Sequence, residues 1–233
     1  SKMSYLIAIG TSVCGATAIV AMAPIINAKK SEVAYAIANI TLFGVISMLV
    51  YPYFAEWYFN GEPLQAGLFL GTAIHETSQV AAAGLIYDQQ FNSPETLNVA
   101  TVTKLIRNTF LVIMVPLFGF LYNRGKIKDK SYSIFSIFPY FVLGFIGMII
   151  VRNFGDQIFT LENGNHEYWE IFIKYIKNLA TVFLTMAMAA VGISINLNEL
   201  KSMGYKPFVV GLIAALTVGL VSIISIELFT YLI

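Results

Sequence analysis

Runs of about 20 apolar residues, separated by short polar loops, constrain this chain more than any motif in it. A helical run of that length spans the roughly 30 Å hydrocarbon core of a bilayer. Lipid offers the backbone no hydrogen-bond partners, so such runs must be helical. An outer-membrane barrel would show segments of about ten residues with alternating polarity instead. Hydrophobic residues make up 58% of the chain and charged residues 12%, about half the charge of a soluble domain. Seven apolar segments stand out, at 4–26, 33–54, 64–87, 96–122, 133–153, 170–193 and 207–232. The expected fold class is an all-α polytopic membrane protein, with 1–233 forming one transporter domain. The chain opens on apolar residues just after Ser1 and stops at Ile233 within others, so further N-terminal helices are expected.

Loop charge gives orientation. The loops 27–32, 123–132 and 197–206 hold Lys29, Lys30, Arg124, Lys126, Lys128, Lys130, Lys201 and Lys206. The loops 55–63, 88–95 and 154–170 hold Glu56, Glu62, Asp88, Glu95, Asp156, Glu162, Glu167 and Glu170, with no lysine or arginine. Basic loops face the cytoplasm, which suits a bacterial inner-membrane protein. Arg152, Lys174 and Lys177 fall near the acidic side, so the sorting is eight against three. Seven full crossings break this pattern: if 64–87 spanned, loop 123–132 would lie outside. If 64–87 enters and leaves from the outer face, every loop sorts. Lys2 before segment 4–26 and Lys29-Lys30 after it ask the same of that segment from the inner face. The expected bundle therefore contains two broken or re-entrant segments, since irregular backbone at membrane depth is tolerated where protein covers it.

These two segments resemble one another. Gly10-Thr11-Ser12-Val13-Cys14-Gly15-Ala16-Thr17-Ala18-Ile19-Val20-Ala21 aligns with Gly71-Thr72-Ala73-Ile74-His75-Glu76-Thr77-Ser78-Gln79-Val80-Ala81-Ala82, with three identities in twelve. Opposite entry sides make this an inverted repeat, and interrupted segments in matching halves point to a transporter's binding site. Small residues that let helices pack closely give the plainer explanation.

The first segment reads GTSVCGATAIVAMAPII and the second GTAIHETSQVAAAG; TVTKLIRN, PYFVLGF and AMAAVGI follow in order. Together they resemble the bacterial YeiH-type family of sulfate exporters. The resemblance implies an inner-membrane transporter of a small sulfur oxyanion, and members are longer at the N-terminus. It carries no residue-level site, so the candidates come from the residues themselves.

Lys104, Arg107 and Asn108 form a polar stripe on one side of an apolar helix. Lys104 lies about ten residues, or about 15 Å, into its segment, too deep for easy snorkelling. Charges at that depth usually face a cavity and serve function, and arginine's planar fork suits an oxyanion. An internal salt bridge locking helices together is the competing explanation. His75 and Glu76, central in segment 64–87, are candidates for proton or ion coupling. Glu76 is equally placed to be the counter-ion of Lys104 or Arg107, and His75 to be a packed core residue. Gln79 offers an amide to substrate or to unwound backbone. If helices begin at Gly10-Thr11-Ser12 and Gly71-Thr72, their free N–H groups and hydroxyls would cradle an anion.

Asn39 is expected to bond across helices. Pro116 is expected to bend its helix. Lys174, Lys177, Asn178 and Glu227 are expected at the interface, with the aromatic belt of Tyr51, Tyr53, Phe54, Trp57, Tyr58, Phe59, Tyr168 and Trp169. Cys14, the lone cysteine, excludes an intrachain disulfide. No Walker loop, His-Glu-x-x-His or Gly-x-Ser-x-Gly occurs, so neither ATP hydrolysis nor an enzyme is expected, and His75 and His166 lack metal spacing. Neither a cofactor nor a nucleic acid partner is expected; a homo-oligomer is compatible with the sequence. The leading expectation is a secondary transporter of a small inorganic or organic anion by alternating access. The alternatives are a sodium- or proton-coupled carrier with Glu76 as the cation ligand, and a passive anion channel.

Overall fold

Ten helices, and no strand, occupy the described part of the chain. They are α1 (Lys2–Ser12), α2 (Ala16–Met22), α3 (Lys30–Phe59), α4 (Pro63–Ala73), α5 (Thr77–Phe91), α6 (Pro94–Thr109), α7 (Leu111–Asn123), α8 (Phe141–Ile158), α9 (His166–Ser194) and α10 (Lys206–Leu232). The computed structural model describes residues 2–123, 141–159, 166–194 and 205–232. The basic residues Arg124 to Lys130 and Lys201, the start of segment 133–153 and the His166 side chain lie outside the described residues. Backbone contacts sort the chain into two units, 1–137 with 195–233, and 138–194.

In the first unit, α3 and α10 are each long and apolar enough to cross a membrane, and the bent pair α6–α7 makes a third candidate span. At about 1.5 Å per residue, the 30 residues of α3 reach about 45 Å. It starts beside the Glu32 carboxylate, which accepts the Lys29 N–H at 2.8 Å. It stops at Asn60, whose φ of 53° is the left-handed cap that asparagine tolerates. α10 runs parallel to α3. Its Phe208 ring meets Phe43 with centroids 4.9 Å apart, and a Cβ on Gly219 would lie 3.1 Å from the Tyr51 hydroxyl.

Segments 4–26 and 64–87 both fold into helical hairpins. Lys2, at the start of α1, donates its ammonium to the Asn27 carbonyl beyond α2 at 2.6 Å. Tyr5 and Ile25 both pack on the far end of α7, against Phe118 and Gly119. The two ends of this hairpin therefore sit together at the lysine-rich end of α3. In the second hairpin, Gly67 of α4 lies against Thr96 and Val99, and Gly84 of α5 lies against Leu97. Two positions 17 residues apart in sequence thus meet one level of α6, which only an antiparallel α4–α5 pair allows. Tyr87 closes this mouth by donating to Glu56 at 2.5 Å, at the acidic end of α3. The hairpins enter from opposite ends, as loop charge requires.

Each hairpin has its own apolar core. One gathers Leu6, Ile7, Ile19, Met22, Ile40, Leu111 and Val115 toward the basic end. The other gathers Phe59, Phe69, Leu70, Ile74, Val80 and Tyr87 toward the acidic end. Segment 96–122 is not one straight helix. It bends by 44° between α6 and α7, and the interruption is at Phe110, whose N–H reaches the Arg107 and Asn108 carbonyls. Pro116, the expected cause, lies inside α7. Ser93 starts α6, and its hydroxyl pairs with that of Thr96 at 2.9 Å rather than with backbone.

Within the second unit, Trp169 of α9 donates its indole N–H to Asp156 of α8 at 2.7 Å. Arg152 pairs with the same carboxylate at 2.7 Å. Arg152 was one of three exceptions to the charge sorting, and this local pairing removes its net charge from the end it occupies.

Candidate functional site

The two breaks fall at matched positions. α1 ends at Ser12 and α2 begins at Ala16; α4 ends at Ala73 and α5 begins at Thr77. In the repeat alignment Ser12 pairs with Ala73 and Ala16 with Thr77. Each break therefore spans the same three positions, Val13–Gly15 and Ile74–Glu76. Gly15 turns the first break with a φ of 63°, a conformation that few L-residues adopt. A Cβ there would stand 2.6 Å from Glu76 Cγ, so the two tips touch at this point.

α6 passes both tips and binds them with its basic side chains. Lys104 is fully buried. Its ammonium donates to the carbonyls of Val13 at 3.0 Å, Ile74 at 3.0 Å and His75 at 2.5 Å. Arg107 donates from Nε to Ser12 at 3.1 Å, from Nη1 to Thr72 at 2.5 Å and Ile74 at 3.4 Å, and from Nη2 to the Thr11 carbonyl. The acceptors come in repeat-related pairs: Val13 with Ile74 for the lysine, Thr11 with Thr72 for the arginine. The physical cause is direct. A helix that stops inside a membrane leaves its last carbonyls without partners and carries a partial negative charge there. Two such ends converge on α6, and two cations satisfy both.

This corrects the sequence expectation in three respects. Gly10-Thr11-Ser12 and Gly71-Thr72 end their helices rather than begin them, so they present carbonyls to cations instead of N–H groups to an anion. The hydroxyls of Thr11 and Ser12 bond back to the Ala8 carbonyl at 2.8 and 2.7 Å. That of Thr72 bonds to Leu68 at 2.6 Å and to the Ser222 hydroxyl at 2.5 Å. Finally, Glu76 is not an ion-pair partner of Lys104 or Arg107. No ion pair within 4.0 Å joins Glu76 to either of them; Arg152–Asp156 is an example of one that does form.

Glu76 meets α3 instead: the Thr41 hydroxyl lies 3.2 Å from its Oε1. Its carboxylate also reaches the backbone of Ala16, at the start of α2. Gln79 donates to the Thr41 carbonyl at 3.2 Å. Asn108 donates to the Thr77 hydroxyl at 3.0 Å. Both ring nitrogens of His75, the Ser78 hydroxyl, Gln79 Oε1 and Asn108 Oδ1 are buried and lack a hydrogen-bond partner. Most buried polar groups are satisfied, so this concentration around one tip marks a site. Thr41 and Gly44 of α3 were not singled out from the sequence; a threonine in an apolar run gives no sign of what it faces. Asn39 does contact a neighbouring helix, where Gly211 of α10 lies against its amide.

The fold and site together define a helical membrane protein built around two opposed hairpins whose unwound tips share one basic clasp. The chain belongs to the family described as Conserved hypothetical protein 698, whose profile matches residues 1–211. It is 35% identical over 229 residues to the UPF0324 membrane protein FN0533 of Fusobacterium nucleatum, covering 96% of this chain and 65% of that protein. It is 32% identical over 235 residues to a UPF0324 membrane protein of Clostridium tetani, covering 95% and 63%. The UPF0324 membrane protein SAG1125 of Streptococcus agalactiae is 33% identical over 225 residues, covering 95% and 63%. The chain thus spans just under two thirds of these relatives' length. No solved structure matches it.

Proposed function

We propose that the protein is a secondary transporter of a small anion, working by alternating access in the bacterial inner membrane with its lysine-rich loops inside. The observation that carries this reading is the charge balance at the tips. Lys104 and Arg107 bring two positive charges, and Glu76 is the carboxylate beside them. The negative ends of α1 and α4 and the positive ends of α2 and α5 offset one another to first order. A surplus of about one positive charge remains at mid-height, and an unpaired buried charge calls for a counter-ion.

Lys104 holds the tips with all three of its donors. Arg107 uses four of five N–H groups and is only partly buried, which leaves one donor for a ligand. The Asn108 amide, next on the same helix, adds a polar group to that side. Thr11, Ser12 and Thr72, which follow Gly10 and Gly71, then serve with Ile74 as the backbone that Arg107 spans, and Gln79, His75 and Glu76 as the coupling side of the tip. Two hairpins that enter from opposite ends and meet on one helix suit alternating access: loosening either tip opens the centre to one side. The resemblance to sulfate exporters supports a sulfur oxyanion as the substrate.

Counterflow of labelled sulfate into proteoliposomes tests this, with sulfite, taurine, citrate and chloride as competitors. Arg107→Ala is expected to lower exchange at least about tenfold, which corresponds to about 1.4 kcal/mol. Arg107→Lys, which keeps the charge but not the fork, is expected to retain part of it. No exchange of any anion, by protein that unfolds cooperatively on heating, overturns the reading.

A further inference from the structure

Glu76 is 6% exposed and Gln79 2% exposed; the Glu76 carboxylate has no cation beside it to pair with, and the Gln79 amide oxygen has no hydrogen-bond partner. The Glu76 carboxylate meets one hydroxyl, one backbone group and no cation within ion-pair distance. Gln79 Oε1 meets nothing, and lies so close to α3 that a Cβ on Gly44 would collide with its amide. Lys104 is the basic group nearest Glu76, but its ammonium is fully occupied by three carbonyls. Four oxygens are thus gathered between α3 and the second tip: Glu76 Oε1, Thr41 Oγ1, Thr41 O and Gln79 Oε1.

We propose that these oxygens bind a hard monovalent cation, sodium by its charge and size. The Thr41 hydroxyl and the Glu76 carboxylate, 3.2 Å apart, form one edge of the site. The Gln79 amide, now donating to Thr41 O at 3.2 Å, supplies its oxygen by turning over. Carbonyl and amide oxygens then face each other with the ion between them. All the donors are oxygen, which suits a hard cation. Among the described residues no group of three or more His, Cys, Asp and Glu occurs that would hold a transition metal. A monovalent ion adds the least positive charge beside Lys104; a divalent ion would add twice as much. Unwound backbone at a broken helix is where transporters of this build place coupling ions. A cation at Glu76 and an anion at Arg107 attract each other, so each tightens the other's binding by the same factor. That coupling rests on the anion reading; the cation site does not.

Thermal unfolding of the purified chain in detergent tests the site without any transport assay. Sodium chloride is titrated against potassium and choline chloride, with chloride and ionic strength held constant. Sodium is expected to raise Tm by several degrees and saturate, with potassium and choline giving no saturable rise. Glu76→Gln and Thr41→Val are each expected to raise the half-saturating sodium concentration at least about tenfold, which is about 1.4 kcal/mol of binding. If Glu76→Gln does not fold, Thr41→Val, which keeps the shape, decides alone. An equal response to all three salts, or an undiminished sodium response in Thr41→Val, overturns the site. Anion counterflow is measured separately, so failure here leaves the transport reading standing, and failure there leaves this one standing.

Discussion

Lys104→Met isolates the clasp. The methionine keeps an apolar stem of similar reach and removes the ammonium. Three carbonyls are then affected. Ile74 keeps its longer bond from Arg107 at 3.4 Å, so Val13 and His75 are the ones left bare. Leaving a buried acceptor unsatisfied costs about 1–3 kcal/mol, or about 2–6 kcal/mol for the two. Some of this returns because an ammonium no longer has to be held out of water. The expected net loss is about 3–4 kcal/mol, a large share of the 5–15 kcal/mol that folded proteins typically have to lose. For a chain of this size each kcal/mol lowers Tm by about 2–4 °C, so Tm should fall by about 10 °C. The assay is thermal unfolding of the detergent-purified protein, followed by intrinsic tryptophan fluorescence. Val102→Met, on the exposed face of the same helix, is the control and should leave Tm in place. A Lys104→Met protein within about 2 °C of the parent would refute the argument that this lysine holds the tips.

Two further outcomes check the fold itself. Glu62 and Glu95 flank the second hairpin and are exposed; cysteines placed there, in a chain whose Cys14 is replaced by alanine, should both react with a membrane-impermeant maleimide added outside intact cells, while one at Asn27 should not. Reaction of only one of the first two would mean that α4–α5 crosses the membrane. Gly15→Ala should lose about 1–3 kcal/mol in thermal unfolding, from a strained φ of 63° and a collision with Glu76. Gly144→Ala, where a Cβ meets nothing within 4 Å, should change stability by less than about 1 kcal/mol in either direction.

Loop charge carried more of this architecture than hydropathy did. Hydropathy alone makes 64–87 a span, because α4 and α5 together are as long as one. The basic loop 123–132 revealed the hairpin, since a crossing by 64–87 would have put that loop on the outer face. The matched breaks were legible from Gly10-Thr11 and Gly71-Thr72. Their sense was not. A Gly-Thr pair serves the last turn of a helix as well as the first, because the threonine hydroxyl can bond back to a carbonyl three or four residues earlier. The depth of Lys104 and Arg107 was legible too, but not their partners. Backbone carbonyls have no side-chain signature, so a cation that caps a helix end and one that awaits an anion look the same in sequence. Thr41 was invisible for a related reason: its role depends on which residue of another segment stops beside it.

The clasp also sets a clock on assembly. The His75 carbonyl waits 29 residues, and the Val13 carbonyl 91, for the same lysine. At about 5–20 residues per second of synthesis, those delays are a few seconds and up to roughly 20 seconds. During that interval both tips have left the ribosome with open carbonyls that lipid cannot accept. Both then close on the arrival of one helix. Docking of the two hairpins should therefore be one joint event on α6 rather than two separate ones, and until α6 arrives they must wait near water or in the care of the insertion machinery.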